Sequence, residues 1–177
     1  KTSLQFIQQE MNNITALSNE TCQLGIQSRN MVFYIAKKDS PQPIRLMSSV
    51  GKQLPLYCTG LGRALLAYKS EEEIRSLFPE VLTAYTPHTI ATINDLLKEL
   101  ELTRQRGYAV EHEETNLMVN CIAVSLDYNN APIAALSISI PTFRISESKE
   151  KEAVQILWEA KQRIETHFKM YGVDFGN

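Results

Sequence analysis

Large apolar and small polar positions alternate from Val119 to Asp127 and again from Ile133 to Ile140, the period of half-buried strands. Read with that parity, Ile122, Val124, Leu126, Ala134, Leu136, Ile138 and Ile140 share one face, which predicts a core surface. The opposite face carries Cys121, Ala123, Ser125, Ala135, Ser137 and Ser139, all small and several able to donate or accept a hydrogen bond. The stretch Tyr128-Asn129-Asn130-Ala131-Pro132 between the runs is a turn signal, so they pair as an antiparallel hairpin. A small polar floor of this kind suits a small polar ligand, or else a helix crossing the sheet at close range.

Other segments carry the helical period. Leu4, Ile7, Met11 and Ile14 recur at three and four, predicting an amphipathic helix from Thr2 to Leu17. Strands follow at Cys22 to Ile26 and Met31 to Ala36 around the turn Ser28-Arg29-Asn30, with a third from Ile44 to Val50 after Pro41 and Pro43. Thr59 to Tyr68 reads as a short helix, and a capping box at Ser70-Glu71-Glu72-Glu73 opens another through Phe78. A helix from Thr92 to Arg106 packs through Ile93, Leu96, Leu97 and Leu100 and stops at Gly107, after which Tyr108 to Glu113 is extended. A final helix starts at Ser146, presents Val154, Leu157, Ile164 and Phe168, and stops at Gly172. Strands and helices in this order predict an α+β domain with helices packed on one antiparallel sheet.

Composition narrows the class. With 44% hydrophobic and 21% charged positions, 177 residues suffice for one ordinary globular domain spanning 1–177. A net charge of −2 argues against this segment being the part that grips nucleic acid. Cys22, Cys58 and Cys121 are odd in number and widely spaced, which fits a reducing, cytoplasmic setting better than a disulfide framework. No apolar run approaches membrane-spanning length and no signal peptide is present, so no membrane partner is expected. The chain opens at Lys1 directly into helix-like sequence, which leads to the expectation of a fragment of a longer protein.

Candidate chemistry gathers in two places. Leu54-Pro55-Leu56-Tyr57-Cys58-Thr59-Gly60-Leu61-Gly62-Arg63-Ala64 sets two glycines at a loop-to-helix junction, where the unpaired amides of Gly60 and Leu61 could hold a carboxylate. The third glycine of a dinucleotide fingerprint is missing, with Leu65 in its place, and the plain alternative is that the glycines only turn the chain. Glu111-His112-Glu113-Glu114 resembles a metal or acid/base cluster, yet in a strand Glu111 and Glu113 share a face and His112 points away. No metal site, cofactor or turnover is therefore expected. The enzymatic alternative makes Cys121 a nucleophile, with Glu111 or His112 as its base, acting on a small keto acid; no orienting third residue is signalled.

Three blocks in register carry a family resemblance: LPLYCTGLGRALLA from Leu54, RGYAVEHEE leading to NCIAVSLDYNNAPIAALSISIP, and TFRIS before the last helix. Across nearly its whole length the chain resembles the effector-binding, C-terminal domain of IclR-family bacterial transcription regulators. The resemblance implies a GAF/PAS-like fold with an effector pocket against the sheet. It also implies a winged helix-turn-helix preceding Lys1, with residues 1–17 as the end of a linker helix, and a homodimer or homotetramer on operator DNA. Family members bind small α-keto or hydroxy acids. By position, the resemblance puts the effector carboxylate on the amides of Gly60 and Leu61, and its other oxygens on Glu111, Cys121, Ser137 and Ser139. Two departures bear on pocket depth and effector size: the family often has aspartate at Glu111, and glycine at Met118 and Ile140. The SISIPTFRIS run from Ser137 and the PLYCT start are most like regulators of sugar-acid catabolism, which implies a keto-sugar acid and a repressor. On this reading effector binding shifts a population of two arrangements and so changes operator affinity. A dimerisation module whose small face merely packs is a further alternative.

Overall fold

The computed structural model describes residues 2–43 and 49–176. Helix α1 (Ser3–Ser18) begins at a Thr2 capping box with Gln5, and is followed by the hairpin β1 (Thr21–Ser28) and β2 (Met31–Lys38) and by the short strand β3 (Gln53–Pro55). Three helices come next, α2 (Gly60–Leu66), α3 (Glu71–Leu77) and α4 (Ile93–Arg106), each N-capped by a hydroxyl, from Thr59, Ser70 and Thr92. Strands β4 (Ala109–His112), β5 (Val119–Tyr128) and β6 (Ala131–Pro141) complete the sheet before the long helix α5 (Glu147–Tyr171).

The sheet runs in the order β3-β2-β1-β6-β5-β4, with every pairing antiparallel. The fold is α+β, as the pattern of elements predicts. Cys121 sits opposite Ser139 and Ala123 opposite Ser137, the register that strand parity requires. One face of the sheet packs against α1 and α5, joining Ile7, Met11 and Ile14 to the seven core-face residues of the hairpin and to Leu157, Ile164 and Phe168. The N-terminal apolar stripe is thus satisfied within the chain, and Glu10 adds an ion pair to Arg163 of α5. The other face packs against α2, backed by α3 and α4, through Leu61, Leu65, Ile74, Leu96 and Leu100.

Two expectations change. The strand expected from Ile44 to Val50 falls mostly outside the described residues, and the third strand of the hairpin side is Gln53–Pro55, inside a segment that reads as loop. Strand β4 ends at His112, because Glu113 takes a left-handed conformation at φ 55°. Glu111 and Glu113 therefore do not share a strand face. Glu111 is buried, whereas His112 turns to Asn120 and to Glu150 of α5.

Candidate functional site

The close crossing of α2 over the sheet is made possible by its glycines. A Cβ on Gly60 would come within 3.0 Å of Cys121 Cβ and 3.5 Å of Ala123 Cβ, and one on Gly62 would strike the Leu56 carbonyl oxygen at 2.1 Å. The close-crossing reading of the small floor thus holds over part of its length. Ala123 and Ala135 pack under the helix, while Cys121, Ser137 and Ser139 continue past its start and are left facing a cavity of about 140 Å³. Ser125 belongs to neither, since its carbonyl takes the Lys161 ammonium at the rim of the sheet.

All six predicted residues, Gly60, Leu61, Glu111, Cys121, Ser137 and Ser139, line that one cavity. They arrive from α2, β4, β5 and β6, so only the folded topology brings them together. At the helix start the Gly62 amide is taken by Thr59 Oγ1 and the Arg63 amide by the Thr59 carbonyl. The amides of Gly60 and Leu61 have no acceptor among the described residues, as expected for the first turn of a helix. More open grooves exist between α3 and α4 and beside the β5–β6 turn, and neither contains any of the six.

The acidic wall is built around a buried ion pair. Arg63, 1% exposed, donates from Nε to the Tyr57 carbonyl at 3.1 Å, from Nη1 to the Val110 carbonyl at 2.8 Å and from Nη2 to Glu114. Glu114 in turn accepts from the Ile90 amide, and its own amide donates to Glu111 Oε2 at 2.7 Å. Arg63 thereby ties α2 to β4, which carries Glu111, and to the turn after it, whose Glu114 amide holds the Glu111 carboxyl. Burial pushes the Glu111 carboxyl up to about 7, against the pull of the Glu114 amide and the Arg63 charge, with the Glu114 carboxylate adding to the rise. Burial also drives the Cys121 thiol far above its ordinary range, with Glu111 reinforcing the effect, so Cys121 is a neutral hydrogen-bonding group and a poor nucleophile. Its Sγ lies 3.2 Å from Ser139 Oγ.

Five further polar side chains line the cavity that the sequence reading does not single out: Gln23, Tyr34, Lys52, Thr115 and Asn116. Gln23 Oε1 accepts from Ser139 Oγ at 2.8 Å and from Ser137 Oγ at 3.4 Å, so the two serines are already partnered. Lys52 lies over the Tyr34 ring at 4.6 Å and forms no ion pair with a described residue. Burial lowers its ammonium below the usual lysine range, which marks a charge held partly out of water without a counter-ion. The alternation around Gln23 and Tyr34 and the turn that pairs their strands are visible in the sequence, but the pairing of β1 with β6 is not.

The two family departures outside the acidic wall leave the cavity untouched. Ile140 is fully buried in the core on the opposite face of the sheet, and Met118 is exposed at φ 74°, a left-handed conformation that glycine takes without strain. Neither lines the pocket, so neither sets its depth. No group of three or more potential metal ligands occurs among the described residues. Nor is any helix among them long and apolar enough to cross a membrane.

Comparison with known proteins assigns this architecture. Residues 4–166 match the family described as bacterial transcriptional regulator IclR C-terminal. The HTH-type transcriptional regulator KdgR of Dickeya chrysanthemi is 38% identical over 157 residues, covering 88% of this chain and 52% of that protein. The HTH-type transcriptional repressor AllR of Escherichia coli K12 is 33% identical over 158 residues, covering 88% of this chain and 58% of AllR. Among solved structures, the C-terminal domain of E. coli KdgR superimposes with a TM-score of 0.83 at 32% identity, covering 93% of this chain and 96% of that one. The chain thus spans 52% and 58% of the two curated relatives named above. These relatives are transcriptional regulators, not enzymes, which removes the catalytic reading of Cys121 with Glu111 or His112. This chain therefore belongs to the IclR family of bacterial transcriptional regulators and corresponds to the family's C-terminal domain.

Proposed function

We propose that this domain is the effector sensor of a cytoplasmic repressor, and that its cavity takes a small keto or hydroxy acid of the sugar-acid class. The observation that carries the reading is the convergence of Gly60, Leu61, Glu111, Cys121, Ser137 and Ser139 on one cavity, together with a lysine that forms no ion pair with a described residue. The effector carboxylate is held by the Gly60 and Leu61 amides and by Lys52, and its remaining oxygens meet Glu111, Cys121 and the two serines. In the whole protein a winged helix-turn-helix domain precedes α1, residues 1–17 end the linker helix, and dimers or tetramers read a two-fold operator. Effector binding then changes operator affinity by favouring one of two arrangements of the assembly.

Titration with small carboxylic acids, read as thermal unfolding, tests the sensor role. An acid at a hundredfold excess over its dissociation constant should add about 2.7 kcal/mol of stability. Replacing Ser137 and Ser139 together by alanine should cost about 1–3 kcal/mol of binding, the sum of two ordinary hydrogen bonds. Unchanged affinity in that double variant would remove the serines from the site.

A further inference from the structure

The polar groups of the cavity are ordered in direction as well as in position. Each serine hydroxyl has one hydrogen, and both serines direct it to the same acceptor, Gln23 Oε1, from the neighbouring strand β1. Gln23 is 6% exposed and sits directly across from Ser137 in the β1–β6 register. With its hydrogen committed to Gln23, Ser139 meets the Cys121 thiol as an acceptor, so the hydrogen bonds run from thiol to hydroxyl to amide oxygen. What the serines offer the interior of the cavity is lone pairs. Donors lie elsewhere on the wall, at the Gly60 and Leu61 amides, at the Lys52 ammonium and, while it keeps its proton, at the Glu111 carboxyl.

We propose that Gln23 is a specificity-determining, positioning residue: by turning Ser137 and Ser139 into acceptors it makes the cavity select a hydroxy acid over the keto acid of the same carbon skeleton. The inference rests on the cavity being the effector site. A hydroxyl on the carbon next to the carboxylate donates to a serine lone pair, whereas a keto oxygen has only lone pairs to present there. A ketone in that position leaves acceptor facing acceptor, and a site built around one hydrogen-bond polarity discriminates strongly against the other. The acid binds as its carboxylate, and its hydroxyl keeps its proton. No covalent step is involved.

The test measures affinities of the purified domain for the matched pairs lactate and pyruvate, and gluconate and 2-oxogluconate, by calorimetry. In the unaltered protein the hydroxy acid of at least one pair should bind about tenfold more tightly than its keto partner, the worth of one ordinary hydrogen bond. Gln23→Leu frees the serine hydrogens to donate, and the ratio should fall towards one or invert. Gln23→Glu keeps an acceptor oxygen at the same place and should retain the preference, while thermal unfolding checks that each variant is folded. Equal or better binding of the keto acids by the unaltered protein, or a preference that survives in a folded Gln23→Leu variant, overturns the role of Gln23 and leaves the site standing. Failure of every acid to bind the unaltered protein overturns the site and this inference together.

Discussion

Glu111 illustrates how a single buried side chain ties stability to acidity. Its carboxyl titrates near 7 in the folded state, far above the value in an unfolded chain, because burial penalises the charged form. Between those two values the folded protein holds a proton that the unfolded protein has released. The group is therefore neutral towards stability below the unfolded value and destabilises progressively as pH rises through about 7. Glu111→Gln removes the titration while keeping an oxygen to accept from the Glu114 amide. Urea unfolding of this variant should show a flatter pH dependence between about pH 5 and pH 8, and a gain of roughly 2–3 kcal/mol over the unaltered protein at the upper end. A parallel pH dependence in both proteins would place the ionisation elsewhere. The residues of this site were unequally legible in the sequence. Strand parity separates Cys121, Ser137 and Ser139 from their large neighbours, and a loop-to-helix junction singles out Gly60 and Leu61. Gln23 and Lys52 have no such signature, because their importance comes from which strand lies beside β1 and which ring lies beneath the ammonium.

Among the elements, α2 is the shortest path between cavity and core. It is only seven residues long, fully buried along its length, and set against the sheet closely enough that its two glycines serve different purposes. Gly62 faces the backbone of Leu56, which cannot move aside without breaking the turn that leads into the helix. Gly60 faces Cys121 and Ala123 at distances that a small displacement can relieve. Denaturant unfolding should therefore rank the two alanine variants, with Gly62→Ala losing about 3 kcal/mol or more and Gly60→Ala nearer 1 kcal/mol. Gly60→Ala should nonetheless weaken acid binding, since its new methyl group enters between the helix start and Cys121. Equal costs for the two would contradict the assigned approach of helix and sheet. Helix boundaries were readable because each start carries its own hydroxyl cap and α4 and α5 stop at glycines. Strand β4 was read too long because nothing in Glu113 itself announces a left-handed turn, which arises from its amide bonding to Val119 and its carboxylate to the Met118 amide.

For the molecule as a whole, both faces of the sheet are occupied, one by α1 and α5 and the other by α2 with α3 and α4. The apolar stripe of α1 is consumed internally, so any self-association has to use another surface. With a net charge of −2 this chain has little to offer a phosphate backbone. Equilibrium sedimentation of the domain should show a dimer or larger species, and mobility-shift assays with its operator should show no sequence-specific retention. Specific retention by the domain alone, or a monomer at high micromolar concentration, would contradict this division of labour between sensing and DNA reading.

The seam between β1 and β6 lies at the centre of the sheet, and the bond from Ser137 to Gln23 spans 114 residues of chain. During synthesis, β1 and β2 emerge early as a hairpin whose inner edge stays unpaired until the last strand, β6, has been made. Closing so long a loop is entropically costly and gives topologies of this kind slow folding rates. The candidate cavity, with Gln23 on one side of that seam and Ser137 and Ser139 on the other, comes into being only when the seam zips. The cavity is consequently a product of the final stage of folding, and a nascent chain still short of β6 has neither its serines nor the register that sets them across from Gln23.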